Sequence, residues 1–170
     1  MGGKFDIKRA PKGARITMFE QGVRVIIISA RFFVSIQRGI EDFFGEQAPA
    51  ILYDSGIRAG SEAAKILIRE WGSKDMDFLK QWSEFYSSKG IGWFKVKEIN
   101  VDSDRQRGYI RIEQSFIVEE YGPSDRPVCD FMAGYIAGVL SEAFGASFSC
   151  EETKCIAKGD PYCEFVFERI

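Results

Sequence analysis

Histidine is missing from all 170 residues of the sequence. That absence removes Ser-His-Asp and Cys-His nucleophilic sites, HExxH metal sites and histidine general bases together. Any metal site has to be assembled from Cys, Asp and Glu, and any proton transfer falls to carboxylates, Lys, Tyr or Cys. A long hydrophobic run is also lacking: the most apolar stretch, Val23 to Ile36, is broken by Arg24 and Arg31 and is too short to span a bilayer. Nor is there a surplus of one charge, with 23 Lys plus Arg against 25 Asp plus Glu. The basic residues are scattered and the pI is 5.4, which argues against nucleic acid as the main partner. Residues 1–17 carry no apolar h-region, and Asp6 stands where a myristoylation signal would want Ser or Thr. The expectation is a cytoplasmic protein without a membrane span. Cysteine is limited to four residues, and in a reducing setting these read as thiols or metal ligands before disulfides. No P-loop is present. Gly90-x-Gly92 has Lys95 in place of the third glycine of a dinucleotide fingerprint and precedes a strand, so it reads as a helix stop.

What is present is an ordinary globular composition, 45% hydrophobic and 28% charged, with many aromatics: 15 Phe, 6 Tyr and 3 Trp. The length suits one domain, here 15–170, preceded by an N-terminal arm over 1–14. Arg15 to Glu20 and Val23 to Ser29 read as a hairpin about Gln21-Gly22. Apolar residues recur at helical spacing over Ala30 to Phe44, and a second long helix covers Ala48 to Trp71. A third begins with Asp75, carries Phe78, Leu79, Trp82, Phe85 and Tyr86, and is closed by Gly90. Trp93 to Val101 and Gln106 to Glu119 read as strands joined through Asp102-Ser103-Asp104. Ser124-Asp125-Arg126-Pro127 opens a fourth helix reaching Phe144, and two short strands, Ser147 to Ile156 and Tyr162 to Ile170, close the chain. The order gives an α+β fold with a mostly antiparallel sheet packed against several helices.

The cysteines are concentrated in the C-terminal part, 121–170. Cys155 and Cys163 lie four residues either side of Gly159, and in a symmetric hairpin they face each other with Cβ atoms roughly 5 Å apart. That separation suits two thiolates on one metal and comes close to what a disulfide needs. Glu152 precedes Cys155 by three, which puts the two on opposite faces of a regular strand. Both reach one metal only if the chain turns or bulges near Thr153-Lys154. Cys129 falls in or just after the first turn of the fourth helix, where free N–H groups favour a thiolate. Three thiolates and a carboxylate would fill a tetrahedral zinc shell. Spacing alone leaves buried free thiols, a disulfide and a metal site all open, and Cys150, on the same strand face as Glu152, competes for a place in the ligand set.

A second candidate site is a pocket. Trp82, Phe85, Trp93, Tyr109 and Phe116 could line an apolar cavity between the helices and the Trp93–Glu119 hairpin. Mid-strand Glu113, with Gln114, would meet the polar end of a ligand. The same aromatics at these spacings also suit an ordinary core. Gly56, Gly60 and Ala64, and separately Gly134, Gly138 and Ser141, form small-residue stripes at helical spacing, open to close helix packing or to a dimer seam. No residue is assigned a catalytic role.

Three runs carry a resemblance: Tyr121-Gly122-Pro123-Ser124-Asp125-Arg126-Pro127-Val128-Cys129, then Gly134-Tyr135-x-x-Gly138, then Glu152-x-x-Cys155-x-Ala157-x-Gly159-x-Pro161-x-Cys163. Together they resemble the 4-vinyl reductase domain family and the sensor domains of phenol- and xylene-responsive activators. The match is close over roughly the last 50 residues and elsewhere follows only the order of elements. The resemblance implies a structural zinc on Cys129, Glu152, Cys155 and Cys163, with a fold like the small subunits of the TRAPP trafficking complex. It also implies a homodimer and a buried pocket for a small hydrophobic molecule. The family's pocket histidine has no counterpart, and Ile112 stands where its pocket tryptophan would precede Ser115-Phe116 by three. The reading is a zinc-stabilised sensing module that reports to a separate protein partner. The alternatives are an enzyme or accessory subunit acting on tetrapyrroles, and a dimeric scaffold without ligand.

Overall fold

A computed structural model describes residues 7–9, 13, 15–88, 91–102 and 106–170. The expected first hairpin forms with short strands. β1 (Ile7–Arg9), β2 (Ile16–Met18) and β3 (Val23–Val25) make an antiparallel three-stranded sheet, with Thr17 opposite Arg24. Gly22, at φ 71°, supplies the left-handed residue of the turn and donates its N–H to Phe19 O at 3.1 Å. Part of the expected N-terminal arm is thus a strand; its remaining residues, apart from Gly13, lie outside the described residues, as do Gly90, Ser103 and Asp104.

The helices follow the apolar periodicity. α1 (Ala30–Phe44) starts where Ser29 Oγ accepts the Phe32 N–H at 3.2 Å and stops at Gly45. Its inner side carries Val34 and Gln37, while Phe32, Ile36 and Phe43 on its outer side stay exposed. α2 (Ala48–Trp71) ends on left-handed Gly72, whose N–H returns to Ile68 O. α3 (Asp75–Ser88) buries Phe78, Leu79, Trp82, Phe85 and Tyr86.

The second sheet has β4 (Lys95–Asp102), β5 (Arg107–Glu113), β7 (Cys163–Arg169) and β6 (Phe148–Lys154), in that spatial order and all antiparallel. Period-2 alternation divides β5: Ile110 and Ile112 are buried toward the helices, while Tyr109, Arg111 and Glu113 face outward. The outward face is a charged network. Arg111 pairs with Glu98 and Glu164, each at 2.7 Å, and lies over the rings of Tyr109 and Tyr162.

Two segments depart from the sequence reading. Residues 114–119 were expected to continue a strand, but the sheet ends at Glu113 and the chain turns at Gln114, φ 53°. It re-enters as the short helix α4 (Phe116–Tyr121), its first N–H held by Trp93 O at 2.9 Å. The apolar Phe116-Ile117-Val118 run suits a buried strand or a buried helical turn equally, and the tertiary contact with Trp93 decides. The fourth long helix was expected from Ser124, yet α5 spans Asp130–Phe144 with Cys129 as its N-cap residue. Residues 122–128 instead form a loop fastened to the C-terminal hairpin by Ser124 N–H to Ala157 O at 2.8 Å.

The two small-residue stripes meet each other. A Cβ on Gly56 or Gly60 would fall on the carbonyl oxygen of Phe131 or Tyr135, and one on Gly134 or Gly138 on that of Tyr53 or Ile57. The glycines therefore let α2 and α5 approach backbone to backbone, so their side of each helix is consumed inside the fold.

Candidate metal centre and cavity

Each residue of the C-terminal cluster is placed by a different device. Cys129 stands at the N-terminus of α5 and is fully buried. Glu152 is on β6, just before a register shift between Glu152 and Lys154. That irregularity is what the odd spacing to Cys155 required. Cys155 heads a short 3-10 turn, Ile156–Lys158, and Cys163 opens β7. The turn is tied by Lys158 N–H and Asp160 N–H to Cys155 O, and by Cys155 N–H to Asp160 Oδ2 at 2.9 Å. Gly159, at φ 94°, closes it.

The result is convergence. One ligand atom from each of Cys129, Glu152, Cys155 and Cys163 lies within 4.8 Å of all the others, and all four residues are buried. Sulfurs on a tetrahedral zinc with Zn–S of about 2.3 Å would sit roughly 3.8 Å apart, so the group needs only to tighten. Glu152 Oε2 accepts the Cys129 N–H at 3.0 Å, whereas Glu152 Oε1 is buried with no hydrogen-bond partner. A buried orphan carboxylate oxygen beside three sulfurs fits a cation and little else.

The electrostatics agree. Burial and the neighbouring Cys155 sulfur push the Glu152 carboxyl up to about 8. The Cys129 thiol is pushed well up through its hydrogen bonds to Cys155 and Cys163 and by burial. Those same two thiols, of Cys129 and Cys163, donate toward Cys155 and pull it far down, making it the thiolate of the group. The protein alone cannot ionise all four, and a divalent cation is the charge that would let it. Cys150 stays outside the group. It is buried on β6, its N–H donates to Tyr53 Oη at 3.0 Å, and burial drives its thiol far up.

The cavity lies elsewhere than the sequence placed it. A space of about 610 Å³ opens between β2 and β3, the segment Ile26–Ser29, the start of α1, and the Ile91–Trp93 turn. Of the six residues expected to line a pocket, Phe85, Trp93 and Phe116 do so. Trp82 is fully buried behind it in the core, against Tyr86 and Phe94. Tyr109 and Glu113 are on the outward face of β5, where Tyr109 bonds Glu98 and Glu113 bonds Lys97, each at 2.6 Å. Gln114 is exposed. Phe33, Tyr86, Ile16, Met18 and Val25 complete the wall. No periodicity could have found the β2–β3 contribution, because it depends on where that small sheet docks.

Known proteins share both the fold and the cluster region. Residues 109–169 match the family model of the 4-vinyl reductase domain. All four residues of the buried cluster fall inside that match. The chain is 27% identical over 120 residues to the phenol regulator MopR of Acinetobacter guillouiae, covering 67% of this chain and 21% of the regulator. It is 31% identical over 118 residues to protein MJ0150 of Methanocaldococcus jannaschii, covering 69% of this chain and 62% of that one. The chain thus spans about a fifth of the regulator and under two thirds of the second protein. In fold it resembles the phenol-responsive sensory domain of the transcription activator PoxR, solved with phenol. There the TM-score is 0.73 at 21% identity, over 96% of this chain and 84% of that domain. It also resembles trafficking protein particle complex subunit 3 of Naegleria fowleri, solved covalently bound to palmitic acid. The TM-score is 0.61 at 14% identity, over 83% of this chain and 95% of that subunit. The α+β fold with an antiparallel sheet is shared with both. Among the described residues no helix is long and apolar enough to cross a membrane.

Proposed function

We propose that this chain is a sensing module that takes a small, mostly apolar molecule into the cavity beside α1, and that one zinc ion on Cys129, Glu152, Cys155 and Cys163 holds its C-terminal part rigid. The observation that carries the reading is the cavity itself. Its 610 Å³ and apolar wall lie within the range of ligand pockets, about 300–1,000 Å³. A fold able to close on its own aromatics, as a ligand-free scaffold would, has no need of such a space. The likeness to a phenol regulator supports the same reading. The zinc would serve as a cross-link: with four protein ligands it has no open position for a substrate.

Occupancy would be reported by contact with another protein. In a thermal-shift screen of alkyl aromatics, fatty acids and tetrapyrroles, at least one class should raise the melting temperature, since a ligand at 100 times its Kd adds about 2.7 kcal/mol to the native state. A flat response across all classes would remove the basis for sensing. A red or green protein on purification would favour tetrapyrrole chemistry instead.

The homodimer cannot rest on the small-residue stripes, which are spent between α2 and α5. The surface that remains for it is the outer face of α1. Phe32, Ile36 and Phe43 are 54%, 50% and 83% exposed there, beside Ile26 and Ile27 at 73% and 72%. A self-complementary apolar stripe of this kind suits a two-fold interface. Light scattering should give twice the chain mass of 19.3 kDa, and Phe43→Asp should return it to that mass. A monomer in the unmodified protein across micromolar concentrations would reject the dimer.

A further inference from the structure

Three buried side chains meet beneath the cavity with more hydrogen-bond donors than acceptors. The hydroxyls of Tyr86 and Tyr135 are 2.5 Å apart. The Trp82 ring packs on Tyr86 with centroids 5.2 Å apart, and its Nε1 is buried without a hydrogen-bond partner. The Trp82 indole faces the Tyr135 hydroxyl and favours its ionised form, but burial prevails and pushes Tyr135 up to about 12. Burial likewise holds Tyr86 well above the usual tyrosine range. Both tyrosines therefore keep their protons at any physiological pH.

The count follows from the inventory of the groups. An indole N–H only donates, and each neutral phenol brings one donor hydrogen. A single contact between two hydroxyls consumes one of those hydrogens. Suppose Tyr86 donates to Tyr135. The Tyr135 hydrogen is then trapped in a site 1% exposed, with another donor beside it. The opposite direction turns the oxygen of Tyr135 toward the indole N–H and leaves free the hydrogen of Tyr86. Tyr86 is the member of the three that lines the cavity. Among the described residues no carboxylate lines that cavity, and its single charged neighbour, Arg24, is a cation without acceptor capacity.

We infer that the ligand of this cavity carries an acceptor oxygen, a carbonyl or a carboxylate, that receives the Tyr86 hydroxyl, on an otherwise apolar body. The inference rests on the cavity being the binding site. It excludes plain hydrocarbons as the best ligands, because they leave the hydroxyl unanswered. It also excludes primary amines, which bring further donors and a positive charge. The Tyr86 ring, stacked on Phe94 at 4.7 Å between centroids, holds the hydroxyl in place, so little ordering is required on binding.

The test is calorimetry of the full chain with 2-octanone, octanoate, octylamine and butylbenzene, repeated on Tyr86→Phe. One or both oxygen probes should bind at least about fivefold more tightly than octylamine and butylbenzene. Tyr86→Phe should weaken the oxygen probes by about fivefold to tenfold while leaving butylbenzene within about twofold, the loss typical of one hydrogen bond. Binding of octanoate alone assigns a carboxylate; binding of both assigns a carbonyl oxygen of either kind. If butylbenzene binds as tightly as the ketone and the acid, or Tyr86→Phe changes nothing, the acceptor assignment is overturned while the cavity stands. If none of the four binds, the cavity reading falls with it. Should Tyr86→Phe fail to fold, the ranking of the four probes on the unmodified protein decides.

Discussion

Chelating the metal from purified protein is expected to lower its melting temperature by roughly 10 °C or more, corresponding to roughly 4 kcal/mol for a domain of this size. The reason is geometric. Cys129, Glu152, Cys155 and Cys163 come from α5, β6, the 3-10 turn and β7, and one ion would join all four. Without it, the buried Glu152 Oε1 faces three sulfurs with no partner, and folding has to hold that oxygen out of water. The apolar core of this chain is large enough to keep it folded, so the metal-free form should be weakened rather than unfolded. Elemental analysis should return one zinc per chain. Cys163→Ser should reproduce the effect of chelation, whereas Cys150→Ser should cost little, because Cys150 lies outside the group. If Cys150→Ser were the damaging change and Glu152→Ala the silent one, the fourth ligand would be Cys150.

How much of this was legible in the sequence depends on the range of the interaction. The bounds of α1 and α2 could be read off the chain, because apolar periodicity and a left-handed glycine are both local. The bulge in β6 was legible for the same reason: three residues between Glu152 and Cys155 cannot point one way on a regular strand. The turn at Gln114 was not, since Phe116 to Val118 can be buried as strand or helix and only Trp93 O distinguishes them. The start of α5 was hidden in the same manner. Ser124 and Pro127 carry a good helix-start pattern, but the Ser124 N–H is claimed by Ala157 O from another element. The roles of Tyr109 and Glu113 failed on parity. They alternate with Ile110 and Ile112, and once those two are buried the others must face out. Half of the cavity wall comes from a sheet whose docking no local pattern encodes.

The α2–α5 seam allows the second large prediction, and a contrast within one residue type makes it sharp. Replacing a mid-helix glycine by alanine should stabilise a helix by up to about 1 kcal/mol, through propensity and a less flexible unfolded chain. Gly39→Ala in α1 should show that gain, because a Cβ there has nothing within 4 Å. At Gly134 the same methyl would land on the carbonyl oxygen of Tyr53, and at Gly60 on that of Tyr135. Those atoms are backbone and cannot swing aside, so α2 and α5 would have to separate. Gly134→Ala and Gly60→Ala are therefore expected to destabilise by roughly 2–4 kcal/mol in urea unfolding, opposite in sign to Gly39→Ala. The damage should reach the functional sites as well. α5 carries Cys129 at its N-terminus and Tyr135 in its middle, so displacing it moves one metal ligand and one member of the hydroxyl pair together. Loss of zinc during purification of Gly134→Ala would register that displacement independently of stability. If Gly134→Ala instead stabilised as Gly39→Ala does, the backbone contact between the two helices would not exist in solution.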